Sequence, residues 1–135
     1  MDRMVECELV RIYINENSEQ QFIFLRERRG ARQFPIVIAK NEAEAIDRFV
    51  NGESTQRPLT HQLFNDTLKA LDVQVERIEI PKLKDSTFHG TLVLRQDGKE
   101  VTIDARPSDS IALAVCAGAP IFVHEDVLGE VAKAE

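Results

Sequence analysis

From Ile111 to Ala117 every residue is apolar, and a helix without a polar face has to be buried on all sides. Just before it, Asp104-Ala105-Arg106-Pro107-Ser108-Asp109 concentrates polar groups at one junction. Asp104 ends a strand pattern, and the proline pushes Arg106 towards an extended conformation. Ser108 is a preferred N-cap type, and Asp109 falls in the first turn, where the helix dipole favours an anion. These polar groups are therefore expected to be held firmly at one edge of the core.

The rest of the chain supplies strands and shorter helices. Val5 to Ile14 reads as a strand whose apolar face switches midway, the mark of a bulge or of burial on both sides. Gln21 to Arg26 and Phe34 to Ala39 read as the next two strands. Asn41 with Glu44 resembles a capping box, and Ala43, Ile46, Phe49 and Val50 carry the spacing of a buried helical face. Residues 51–56 hold turn formers and no apolar residue, which predicts an open loop or lid. A second helix is expected to start at Thr60, with Leu59 at N′ and Phe64 at N4 as a hydrophobic staple and Leu63, Phe64, Leu68 and Leu71 facing inward. Val73 to Ile80 reads as a strand with a face switch near Glu76-Arg77, ended by Pro81.

Asp97-Gly98 suits a two-residue type I′ turn, which fixes a hairpin register. Gln96 then faces Lys99, Arg95 faces Glu100, Leu94 faces Val101, Leu92 faces Ile103 and Thr91 faces Asp104, and the register continued places His89 opposite Arg106. Pro120 to Val123 reads as a last strand and Glu125 to Lys133 as a terminal helix. Strands outnumber helices, so the expected class is α+β: a single domain over residues 1–135, with a mixed, mainly antiparallel sheet covered by three to four helices.

A chain of 135 residues suits one core. No apolar run approaches a bilayer span, and Met1-Asp2-Arg3 leads into a strand pattern without a signal-peptide core, which predicts a cytoplasmic protein. Cys7 and Cys116 are too few and too distant to imply a disulfide framework or a zinc site, and both lie in apolar patterns. The net charge of −6 argues against gripping nucleic acid by bulk electrostatics. One basic cluster departs from it: Arg26, Arg28, Arg29 and Arg32 surround a single acid, Glu27. Such a cluster either contacts phosphates without reading sequence or is a solvated edge that discourages aggregation.

The junction run, together with Phe34-Pro35-Ile36-Val37-Ile38, Glu42-Ala43, Arg57-Pro58-Leu59-Thr60-His61, Phe88 and Ala119-Pro120-Ile121, resembles the bifunctional nuclease domain family across nearly the whole chain. The family is credited with cleaving DNA and RNA. Three positions depart from its pattern: Ala39-Lys40 stands where a glycine is expected, Cys116 where a basic residue is frequent, and His89 where an aromatic residue is usual. No acidic motif position is lost.

The resemblance implies a nuclease of low sequence specificity acting on DNA and RNA. Phosphodiester hydrolysis needs a positioned water, neutralised phosphoryl oxygens and a stabilised leaving oxygen, which carboxylates holding Mg²⁺ or Mn²⁺ can provide. Asp104, with Asp109 or Glu42, is the expected metal set; alternatively, Glu42 and Asp109 serve only their helix dipoles. His61, at a helix start where the dipole favours a neutral ring, is the expected proton carrier, grouped with Asp104 and Asp109 as catalytic. Arg57, Arg106 and Ser108 are the expected substrate contacts, unless the arginines merely lock their loops by pairing as Arg106/Asp109 or Arg57/Asp104. The rival readings are a non-catalytic ligand- or protein-binding module built on an Arg/Asp ion-pair network, and a stress regulator that binds nucleic acid without cutting it. A homo-oligomer is expected, with a dimer as default and no membrane partner.

Overall fold

In the computed structural model, residues 3–134 are described; Met1 and Asp2, read above as part of a lead-in, lie outside the described residues. The strands are β1 (Met4–Tyr13), β2 (Gln20–Glu27), β3 (Arg32–Ala39), β4 (Gln74–Lys84), β5 (Thr87–Gln96), β6 (Lys99–Ala105), β7 (Ile121–His124) and β8 (Lys133–Ala134). The helices are α1 (Lys40–Val50), α2 (Thr60–Ala70), α3 (Pro107–Ala117) and α4 (Glu125–Val131). The strands form one sheet in the order β6-β5-β4-β7-β1-β2-β3-β8. Every neighbouring pair is antiparallel except β4 and β7. The α+β class with a mixed, mainly antiparallel sheet and four helices is the expected one.

The sheet curls until its two ends approach. Phe34 of β3 and Phe88 of β5 are far apart in strand order, yet their ring centroids lie 5.7 Å apart. Inside the curl sits α3, packed against β4, β5, α1 and α2. Ile111, Ala112, Leu113 and Ala114 are fully buried there, as an all-apolar helix requires. Ile23, Leu25, Phe34, Ile78, Ile80 and Val123 complete the core from the strands.

The hairpin register from Gln96/Lys99 to Thr91/Asp104 is the one the Asp97-Gly98 turn dictates. Both turn residues have positive φ, 51° at Asp97 and 77° at Gly98, as a type I′ turn demands. The ladder stops at Gly90/Ala105, however, because Arg106 already belongs to the start of α3; His89 faces Lys82 instead of Arg106. The face switches in β1 and β4 are bulges, between Leu9 and Arg11 and between Val75 and Arg77.

Several local expectations are corrected. β4 does not end at Pro81: a second irregularity between Glu79 and Lys82 absorbs the missing N–H, and the strand runs on to a tight turn at Asp85-Ser86. α1 starts at Lys40 with Ala39 as cap, so Asn41 lies within the first turn and makes no capping box. Ala39 is held in the ladder opposite Gln20, and the strand passes directly into the helix. α3 is capped by the Arg106 backbone, not by Ser108, because Pro107 is pre-organised for the first helical position. α2 starts at Thr60 as expected, but Leu59 and not Thr60 is its cap, which makes His61 its second residue. Of the inward face expected for α2, only Leu68 is buried; Leu59, Leu63, Phe64 and Leu71 are exposed because α2 meets α3 through a narrow strip and flanks the body. The terminal helix ends at Val131, and β8 then pairs with Arg32 and Gln33 of β3.

A candidate active-site cleft at the β6–α3 junction

The strand-to-helix junction places its polar groups where α1 and α2 also begin. Arg106 is the last extended residue before α3, and Asp109 is in that helix's first turn. Glu42 is in the first turn of α1, and His61 is the second residue of α2. The three helix starts converge because α1 and α2 both pack against α3.

Asp109 is the hub. Its Oδ1 lies 3.0 Å from His61 Nε2, and its Oδ2 accepts from Arg106 Nε at 2.9 Å and faces Arg106 Nη2 at 2.8 Å. Arg106 Nη2 also reaches Glu42 Oε2 at 3.4 Å. An ionised carboxylate only accepts, so the His61 contact requires Nε2 to carry the proton and leaves Nδ1 as the basic nitrogen. Asp109, and behind it Glu42, raises the affinity of the Arg106 guanidinium for its proton further, so this group stays cationic. Glu42 is mostly buried, and its second oxygen, Oε1, is buried without a hydrogen-bond partner. Such an oxygen costs free energy unless something supplies a donor. Arg106, by contrast, is 66% exposed, and an ion pair that open is worth at most about 1 kcal/mol. The guanidinium can therefore exchange partners at little cost.

These groups line a cleft of about 1190 Å³. Leu92 and Ile103, hairpin partners in the register read from sequence, line its apolar side together with Phe49 and Phe64. Residues 53–56, from the open loop, close another side. A second cavity of about 860 Å³ shares Asp104, Ala105 and Arg106 with the first and reaches His89 and Ser108.

The remaining sequence candidates are spread around this centre. Asp104 is exposed on β6 where the two cavities meet and forms no ion pair among the described residues. Arg57 is exposed; its carbonyl accepts from Thr55 Oγ1 at 2.6 Å, and the Arg57/Asp104 pair does not form. Ser108 is buried at 8% exposure and borders the second cavity. The expected ligands Asp104, Asp109 and Glu42 do not come together as a ready metal site: Arg106 stands between Glu42 and Asp109. Among the described residues no group of three or more His, Cys, Asp or Glu side chains is placed to hold a cation. His124 caps α4, its Nδ1 accepting from the Asp126 N–H at 3.0 Å.

Sequence reading missed the His61–Asp109 link, which joins residues 48 positions apart. It also missed Gly90, which lets the β5 backbone lie against Ala105, Pro107 and Ser110 and so sets the depth of the junction.

Residues 23–135, which include every member of this constellation, match the Bifunctional nuclease domain family. The chain belongs to that family. It is 37% identical over 127 residues to an uncharacterized protein of Mycobacterium tuberculosis, found in two strains, covering 94% of this chain and 76% of that one. It is also 26% identical over 118 residues to Bifunctional nuclease 2 of Oryza sativa subsp. japonica, covering 84% of this chain and 36% of the rice protein. The junction common to both cavities thus lies inside the family's own domain. Among the described residues no helix is long and apolar enough to cross a membrane.

Proposed function

We propose that this family member is a nuclease that hydrolyses phosphodiester bonds in DNA and RNA with little sequence preference. The observation that carries the reading is the His61–Asp109–Arg106 linkage on the wall of the larger cleft. It offers a base, an orienting carboxylate and a permanent cation side by side. Asp109 holds the His61 Nε2 proton, so that Nδ1 takes a proton from the attacking water and later returns one to the leaving oxygen. Arg106 leaves Asp109 and Glu42 to meet the phosphoryl oxygens, where charge grows in the transition state. Ser108, bordering the second cavity, and Arg57, exposed next to the loop residues that close the larger cleft, are further phosphate contacts, and Asp104 orients water or substrate where the cavities meet.

A Mg²⁺ or Mn²⁺ ion held by Asp104 with Asp109 or Glu42 would need Arg106 to swing off both carboxylates first. The side chains as arranged do not fit such a metal ion. The pairing of Arg106 with Asp109 and with one oxygen of Glu42 favours a second reading: a module that binds a ligand or nucleic acid without cutting. We place the protein in the cytoplasm, consistent with its free cysteines, and as a homodimer through the open edge of β6.

The test is cleavage of labelled single-stranded DNA and RNA by wild type, His61→Ala and Asp104→Asn, purified in parallel, with Mg²⁺, Mn²⁺ or chelator. His61→Ala should lose roughly 10²- to 10⁴-fold in rate. Full cleavage by both variants would refute the site, and no cleavage by wild type with any cation would leave the binding module.

A further inference from the structure

We propose that the solvent face of β1–β3 is a track for single-stranded nucleic acid leading into the cleft at Arg106. The inference rests on the nuclease reading and adds where the strand lies outside the cleft. Two cross-strand rows carry it. Tyr13, Phe22 and Val37 are aligned across the three strands, and Arg11, Phe24 and Pro35 form the adjacent row. All six point away from the core: the alternate residues Ile12, Ile23, Leu25 and Ile36 take the inner face, and Ile23, Leu25 and Ile36 are buried.

An ordinary solvent face would carry polar residues here. Instead Tyr13 is 51% exposed, with its ring centroid 6.3 Å from that of Phe22. Val37 is 52% exposed, and Phe22 and Phe24 are only half-buried. The Arg11 guanidinium lies 4.6 Å from the Phe24 ring centroid and has no carboxylate partner among the described residues. An arginine stacked on an aromatic ring, with further open rings beside it, is a surface on which a base can stack while its phosphate meets the cation.

The charges along these strands fit the same occupant. In an acidic chain this face gathers Arg11, Arg26 and Arg28. Arg26 is 3.8 Å from Glu8 and Arg28 is 3.7 Å from Glu6, long and open contacts that phosphates can displace. The face also continues into the site. Val37 and Pro35, the last residues of the two rows, line the second cavity, whose far side is the Asp104–Arg106 segment shared with the larger cleft. A duplex presents its bases edge-on and stacked on each other, so only a single strand can use the rings.

The experiment is fluorescence anisotropy of dye-labelled oligothymidine, oligouridine and a DNA duplex against the full chain, wild type and Tyr13→Ala, Arg11→Ala and Tyr13→Phe. Loss of one stacking contact should weaken single-strand binding roughly tenfold in Tyr13→Ala and in Arg11→Ala. Tyr13→Phe, which keeps the ring, should bind as wild type, and the duplex should bind more weakly. Thermal melting followed by circular dichroism checks that the variants are folded. Single-strand binding unchanged in both alanine variants would overturn the track, as would equal affinity for duplex. Binding of no oligonucleotide by wild type would also overturn it and leave the face to a protein partner. Cleavage by His61→Ala separates the two readings: a track lost with cleavage still dependent on His61 leaves the nuclease intact, and the reverse leaves a binding track without the proposed site.

Discussion

Replacing Gly90 with alanine tests whether the depth of the β6–α3 junction is set by backbone contact. An added Cβ would lie 2.8 Å from the Ala105 carbonyl oxygen, 2.8 Å from Ser110 Oγ and 3.2 Å from Pro107 N. Two of these atoms are backbone on either side of Arg106, and Ser110 is fully buried. No flexible side chain can simply move aside, so β5 must separate from the start of α3. Overpacking of this kind costs about 1–3 kcal/mol, against about 0.4–1 kcal/mol gained by stiffening the unfolded chain. The net destabilisation is roughly 1–2 kcal/mol, a fall in Tm of about 3–8 °C for a domain of this size. Gly129 is the control. It is helical and exposed, and its added Cβ would meet only Glu125 Oε2, at 3.9 Å. Gly129→Ala should therefore stabilise by up to about 1 kcal/mol. Denaturant melts of the two variants should shift in opposite directions. Equal stabilisation by both would refute the argument that Gly90 is required for space. Because Arg106 and Asp109 ride on the displaced segment, Gly90→Ala should also cleave more slowly, in keeping with the cost of misplacing a reacting group by about 1 Å.

Other outcomes follow from the same structure. Ile111→Ala removes a fully buried side chain from the wrapped helix and should cost about 2–5 kcal/mol in a urea titration. Asp109→Asn should slow cleavage far more than it lowers Tm, because the Arg106 pair is open to solvent while the His61 orientation depends on that carboxylate; parallel losses would mark it as structural. Arg32 holds Glu27 and Glu125 below the ordinary carboxylate value of 4.5 by direct hydrogen bonds. A lowered folded pKa means stability that is present above about 4.5 and lost as pH falls through the folded values, so acid melts of Arg32→Met should show a shallower loss over that window than wild type. Burial pushes the Cys7 thiol up to about 12, with Glu27 adding to it, so thiol reagents should leave Cys7 unmodified until the protein unfolds.

What the sequence disclosed depended on whether the deciding contacts were local. The β5–β6 register followed from one turn, and the bulges in β1 and β4 showed as switches of the apolar face. Helix caps were displaced by a residue or two because Ala39, Leu59 and Arg106 cap through backbone geometry, leaving no side-chain signature. The buried face of α2 was overestimated because periodicity records which residues are apolar, not how much of a partner is available to cover them. β8 is two residues long and carries no pattern. At the site, Arg106, Asp109 and Glu42 were legible as individual candidates from their places at helix starts. Their assembly with His61, and the separate position of Asp104, are products of long-range packing that spacing along the chain cannot encode.

β7 has a consequence for how the chain folds during synthesis. This four-residue strand alone joins β4, by parallel pairing, to β1, by antiparallel pairing. Until residues 121–124 have left the ribosome, the meander β1–β2–β3 and the meander β4–β5–β6 have no ladder between them. Each would wait as a separate half-sheet with two raw edges, and α3 would have only part of its enclosure. A strand made after both meanders thus closes the molecule, so truncation before β7 should release two aggregation-prone half-sheets.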